Sequence, residues 1–407
     1  MTANAPAEAR PRPKLALVLS GGGARAAYQI GTLRFLARAR PGLEIPLLTG
    51  VSAGAINASY LAAHPGSLGE SVEGLARLWS DLGIEGVFRA NAPSLASHVL
   101  RWLARLGSGG SALAPEVRGM VDTEPLRRLL ERELRPDGAG IPGIRRRLEA
   151  GDLEAVALTA INYSTGQTVT FVEGCKLPMW ERPNRVSVCA RLGVDHVLAS
   201  AALPLFFPAV RIGDAWFGDG GIRHAAPLSP ALHLGAERIL AVSTRYRRSR
   251  AEAEARATVG YPPPAQILSV MLNAVFLDVI DQDHERMQKV NALLEATPPE
   301  RRGGLRQIDV VLLRPSRDLG RMAADYEPLL PSGFRFLTRG LGTRETASPD
   351  LLSLVLFERD YLRRLIEIGE ADAAARAGEL LALVDGEPLP APRAEDALEE
   401  SVGVSAR

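Results

Sequence analysis

Two glycine-rich turns, each placed directly after a short apolar run, constrain this chain more than any other feature. Gly21-Gly22-Gly23-Ala24-Arg25 follows Leu15 to Leu19, and Gly50-Val51-Ser52-Ala53-Gly54 follows Ile45 to Leu48. A strand that runs through a glycine turn into a helix presents backbone N–H groups to negative charge. The second turn also has the G-x-S-x-G form of a nucleophile elbow, in which small neighbours let a serine project its hydroxyl from a tight strand-to-helix bend. An oxyanion cradle and an exposed hydroxyl are the two parts of serine acyl transfer that are hardest to supply. Ser52 is therefore the candidate nucleophile, with Gly50 and Gly54 shaping its elbow.

The segments around these turns alternate. Residues 15–20, 45–49, 153–161, 168–172, 210–217 and 238–243 read as strands, and 26–39, 53–63, 125–134, 190–202 and 229–234 as helices. Such alternation predicts an α/β fold, a mainly parallel sheet with helices on both faces. The expected organisation is a flexible segment 1–13 and a core 14–249. Within the core, the insertion 83–119, with Phe88, Leu95, Val99 and Trp102, reads equally as a lid or as surface elaboration. Residues 250–387 read as mainly helical with one late strand, 308–313, able to complete the core sheet, and 388–407 as a loose tail.

Composition narrows the function. With 46% hydrophobic and 23% charged residues and a net charge of +1, the chain is globular, and its scattered arginines give no footprint for nucleic acid. The N-terminus lacks a signal-peptide hydrophobic segment, and no uninterrupted apolar run reaches the length of a membrane span. The most apolar stretch, 267–280, is broken by Ser269, Asn273 and Asp278, and Leu268, Met271, Val275 and Val279 are expected to pack on the sheet in preference to inserting in a bilayer. Cys175 and Cys189 have no CxxC or ligand-spaced histidine and read as inert buried thiols, so no metal and no cofactor are expected. The expectation is a cytoplasmic protein, with peripheral membrane contact and oligomeric state left open.

The base has competing candidates. Of the six histidines, His224 and His233 fall late enough to complete a Ser-His-Asp triad, while His64, His98, His196 and His284 do not stand out. Asp219 is stronger, because Gly218-Asp219-Gly220-Gly221 puts a carboxylate on a tight turn. Its reference pKa of about 4 makes it a useful base only if it is held against Ser52 in a desolvated cleft. A different reading takes Gly21-x-Gly23-x-x-Ala26 as a dinucleotide fingerprint with Glu44 as the ribose ligand, which leaves Ser52 without a role. A further one is a non-catalytic lipid-binding or scaffold protein, against which the presence of both Ser52 and Asp219 argues.

Gly21-Gly22-Gly23-Ala24-Arg25, Gly50-Val51-Ser52-Ala53-Gly54 and Asp219-Gly220-Gly221, in this order, resemble the signatures of the patatin-like phospholipase family. Asp122-Thr123-Glu124-Pro125-Leu126 and Ala199-Ser200-Ala201-Ala202-Leu203-Pro204 are similar to further family segments. The resemblance covers residues 14–245. It implies a three-layer α/β/α fold with additional C-terminal helices and a Ser–Asp dyad without histidine, Ser52 the nucleophile and Asp219 the base. The N–H groups around Gly22, Gly23 and Ala24, with the motif's Arg25, would form the oxyanion hole. The implied reaction is hydrolysis of a lipid ester through an acyl-enzyme, leaving phospholipid, lysophospholipid and acylglycerol undistinguished. Ala26 stands where the family has glycine, which narrows the approach to the loop but keeps its donors. Phe206 and Phe207 read first as core and second as lining of an acyl pocket.

Overall fold

Leu15–Leu19 is apolar at every position and buried at every position, as a strand covered on both faces must be. It is β1 of a ten-stranded sheet whose other members are β2 (Leu47–Val51), β3 (Ala155–Asn162), β4 (Thr168–Glu173), β5 (Glu181–Arg182), β6 (Arg185–Cys189), β7 (Val210–Ile212), β8 (Ala215–Asp219), β9 (Arg238–Val242) and β10 (Asp309–Leu313). The order is β10-β9-β1-β2-β3-β4-β6-β5, with β8 added to β3 and β7 to β8. From β10 to β3 all neighbours are parallel, while β3–β4, β3–β8, β5–β6 and β7–β8 are antiparallel. The computed structural model describes residues 13–90, 97, 100, 101, 104, 105, 107, 118–138, 140–174, 178–254, 260–276, 279–346 and 349–390.

Period-two alternation sorts the strand side chains into two cores. Leu15, Leu17 and Leu19 join Leu48, Val156 and Leu240 under α1 (Ala27–Ala39), α2 (Ala53–Ala63) and α3 (Leu68–Asp81). Ala16 and Val18 join Leu47, Ala157 and Ile239 under helices Ser229–His233 and Val279–Glu295. The result is a three-layer α/β/α arrangement. The first layer is closed by helix Arg359–Ala375, which packs along α1 so tightly that a Cβ on Gly31 would strike Ile366 O and one on Gly369 would strike Tyr28 O.

Several local expectations are corrected. The helix read over 190–202 starts only at Val194, because Ala190 N–H donates to Val172 O (2.9 Å) and Arg185–Cys189 extends the sheet beside β4. Cys189 is exposed and disulfide-bonded, not an inert buried thiol. Phe88 is fully buried against Phe206 (5.3 Å, edge-on) and Phe334 (5.4 Å), so the start of the 83–119 insertion belongs to the core. Leu95, Val99 and Trp102 lie outside the described residues. Helix Pro264–Phe276 does not bury the face expected to meet the sheet: Leu268 is 36% and Met271 58% exposed.

Candidate active site

The parallel strands β2 and β9 flank β1 on opposite sides, which puts the switch point, where an open α/β sheet forms a crevice, at the carboxyl end of β1. The first glycine turn leaves the sheet there, and the second at the adjacent carboxyl end of β2. Ser52 follows β2 and caps α2 with φ 56° and ψ −132°, one of three described non-glycine residues at positive φ. That strained corner turns the hydroxyl out of the strand path. It closes only with glycine on either side, since a Cβ on Gly50 would come 2.5 Å from Gly54 O and one on Gly54 would strike Leu19 O. Ser200 fixes the elbow: its hydroxyl donates to Thr159 O (2.6 Å) and accepts from Ser52 N–H (3.1 Å).

Strand register delivers the carboxylate. Val51 pairs with Thr159 across β2–β3, and the next residue of β3, Ala160, pairs with Asp219 across β3–β8. Asp219 therefore ends its strand beside Ser52 although 167 positions separate them. It is completely buried, and Oδ1 accepts from Gly221 N–H (2.8 Å). Ser52 lies against the carboxyl and lowers its pKa, yet Oδ2 has no partner of full hydrogen-bond geometry among the described residues. Burial outweighs both hydrogen bonds and pushes Asp219 up to about 7.

The first turn stands against the elbow, with a Cβ on Gly21 falling 2.9 Å from Ser52 Cβ. Gly22 (φ 148°) and Gly23 (φ 54°) bend the chain into a short 3-10 turn. The N–H groups of Gly22, Gly23 and Ala24 donate to no protein acceptor among the described residues. Arg25 differs from its sequence-derived place in the cradle: its N–H closes the turn onto Gly22 O (3.0 Å). Its buried side chain instead reaches the far end of the chain, with Nε donating to Ser353 Oγ (2.7 Å) and Nη2 paired with Asp350. Thr244 Oγ1 donates to Gly21 O (2.6 Å) and backs the loop from β9.

Sequence reasoning missed Thr244, Ser353 and Asp350, which carry no motif of their own. Ser200 lies inside a quoted motif but had no assigned part. Gly23→Ala tests the loop, because a Cβ there strikes Leu354 O and displaces the N–H groups. Its expected cost is on the order of a hundredfold in kcat, the price of a lost oxyanion donor, read by steady-state turnover of a soluble ester.

An apolar slot opens from Ser52 and Gly23. It is walled by Ile56, Trp79, Leu126, Phe207, Leu354 and Phe357, among others, so Phe207 takes the lining role while Phe206 packs on Phe88. Neither His224 nor His233 is hydrogen-bonded to Ser52 or Asp219 among the described residues. His224 is partly buried, its Nε2 is unpartnered among the described residues, and desolvation lowers it to about 4. His233 stacks on Trp180 (4.6 Å, 9°). Glu44 precedes β2 and so lies at the opposite end of the parallel pair from Gly21 to Gly23, out of reach of a ribose held at that loop.

Residues 17–232 match the family model described as patatin-like phospholipase. A stretch of 84 residues is 39% identical to a cGAMP-activated phospholipase of Pseudomonas aeruginosa, covering 20% of this chain and 23% of that protein. Human GIVD cytosolic phospholipase A2 is similar in structure at a TM-score of 0.44 and 12% identity, over 92% of this chain and 60% of its own. VipD from Legionella pneumophila gives 0.33 and 13%, over 98% and 81%. The matches thus span under two thirds of the curated relative and of the human enzyme.

Proposed function

Because the chain belongs to the patatin-like phospholipase family, we propose that it hydrolyses carboxylic esters of lipids, with Ser52 as nucleophile and Asp219 as base. The observation that carries this reading is the fully buried Asp219, with Oδ2 unpartnered among the described residues and a pKa of about 7, held beside a serine on a strained elbow. Ser52 Oγ attacks the acyl carbonyl carbon as its proton passes to Asp219. The N–H groups of Gly22, Gly23 and Ala24 receive the oxyanion. Collapse breaks the ester C–O bond, and the leaving alkoxide takes the proton back from Asp219. A water that gives its proton to Asp219 then attacks the acyl-enzyme, and the released Ser52 recovers that proton. The apolar slot supports a fatty acyl group over a small polar one. Head group and positional preference are not encoded in these contacts.

The test is a fluorophosphonate probe followed by intact mass and peptide mapping, paired with release of fatty acid from phospholipid and lysophospholipid. Labelling at Ser52 with fatty-acid release supports the reading, and a labelled residue elsewhere sinks it. A dyad also makes the histidines dispensable. His224→Ala and His233→Ala are expected to keep turnover within about tenfold of the native chain, whereas loss of a general base costs about a hundredfold or more. A collapse in either folded variant would install histidine in place of Asp219.

A further inference from the structure

Helix Pro264–Phe276 carries no charged residue and is apolar on its outer face as well as its inner one. Ala265 and Ser269 are buried and Leu272 packs on the core, while Ile267, Val270 and Met271 stand 43%, 57% and 58% exposed at i, i+3 and i+4. An ordinary surface helix is polar on that side, and contiguous exposed apolar side chains mark an interaction surface. Neighbouring elements extend it. Helix Ser332–Gly340 turns Phe334 inward and Phe336 outward, 82% exposed. It meets the first helix where Ala265 N–H donates to Leu341 O (2.8 Å), and Tyr261, just upstream, is 90% exposed.

We propose that this surface docks on an anionic lipid surface and so sets the Ser52 cleft over its substrate, a proposal that rests on the lipid-hydrolase reading. Continuity with the cleft is the first argument. Helix Pro264–Phe276 packs on the turn Gly220–Arg223 that follows Asp219, and on helix Asp350–Val355, whose Leu354 and Val355 line the slot. That second contact is tied by Leu351 N–H to Ser269 Oγ (3.1 Å) and Asn273 Nδ2 to Asp350 Oδ2 (2.7 Å). On its inner side Phe334 touches Phe88 and Phe206, next to the slot's Phe207.

Charge is the second argument. Residues 332–345 carry Arg335, Arg339 and Arg344 against Glu345. Arg344 pairs with the buried Glu327 (3.6 Å), so Arg335 and Arg339 are the arginines offered to a leaflet, and each arginine near an anionic leaflet adds attraction to the apolar contact. The arrangement fits a helix lying in the interface plane. Although an 18-residue window within Pro264–Glu295 averages 1.4 in hydropathy and is only 21% buried, Val279–Glu295 brings Asp281, Asp283, Glu285, Arg286 and Lys289. The 13-residue apolar helix alone is about 20 Å long, short of the roughly 30 Å hydrocarbon core.

The experiment uses the full chain with Ser52→Ala, floated with vesicles of phosphatidylcholine alone or with about one third phosphatidylglycerol. Capture is expected to favour the anionic vesicles and to weaken with salt. Ile267→Ser with Met271→Ser should lower capture by about tenfold or more on both compositions. Arg335→Gln with Arg339→Gln should remove the anionic preference. With Ser52 restored, both double variants should turn over a soluble short-chain ester within about twofold of the native chain, since exposed substitutions leave the site intact. No capture by the Ser52→Ala chain, or capture unaffected by either pair, overturns the proposal. Loss of a dimer in sedimentation with vesicle capture unchanged does so too, assigning the face to a second copy. Normal vesicle capture without any lipid hydrolysis by the native chain would instead overturn the reaction and leave the surface standing.

Discussion

Replacing Ser52 by alanine is expected to lower turnover of a chromogenic short-chain ester by about 10⁴-fold or more, with the folded state retained. The size follows from the chemistry. Without Oγ no acyl-enzyme forms, and the Gly22 to Ala24 donors can only stabilise direct attack by water, which leaves a small residual rate. The fold is spared because Ser52 Oγ holds nothing else up: the elbow is anchored by its backbone N–H on Ser200 and by the glycine contacts around it. Alanine keeps both. Fluorophosphonate labelling should vanish in the same variant. A Ser52→Ala protein with near-native turnover would end the serine mechanism outright, while lost turnover together with a large drop in melting temperature would show the residue holding structure instead.

What the sequence disclosed follows the range of the forces involved. β1 and the start of β2 were legible because a strand buried on both faces needs apolar residues in succession, and the tight turn that follows needs glycine. Both requirements are local. Ser52 and Asp219 could each be named from their own turns, but their adjacency comes from two strand registers, Val51 with Thr159 and Ala160 with Asp219, which no local pattern encodes. Arg25 shows the same limit in reverse. Its motif suggested a place in the oxyanion cradle, whereas its guanidinium is spent on Asp350, 325 positions away, locking the loop to the helix that walls the slot.

Two errors have a common cause. Arg185–Cys189 was left unread, and the helix over 190–202 was begun four residues early, because a five-residue strand running into an alanine has too few alternations to declare its period. In Pro264–Phe276 the periodicity is helical, but a helix apolar all round looks the same whether its partner is the protein or a lipid surface. The exposure of Ile267, Leu268, Val270 and Met271 is a property of the folded chain that the pattern does not carry.

Asp219→Asn should both inactivate the enzyme and stabilise it, increasingly so as pH rises. Burial lifts Asp219 from an ordinary 3.8 to about 7, so the native chain holds this proton more tightly than the unfolded chain does. Stability from the protonated carboxyl is fully present below the unfolded value and is lost as pH climbs through the folded one, a total of roughly 4 kcal/mol, of which about 3 kcal/mol falls between pH 5 and pH 8. Asparagine is neutral throughout and of similar shape. The variant's advantage over the native chain in denaturant unfolding should therefore grow by about that amount across the interval. Activity runs the other way, because only the carboxylate can accept the Ser52 proton. For the native chain kcat/KM should rise with pH through about 7, and the asparagine variant should lose about 10²–10⁴-fold. A flat stability difference between the two pH values would place the Asp219 pKa near that of an ordinary carboxylate. Burial would then have been offset by the Ser52 and Gly221 hydrogen bonds, and the acid limb of the rate profile would have to belong to another group.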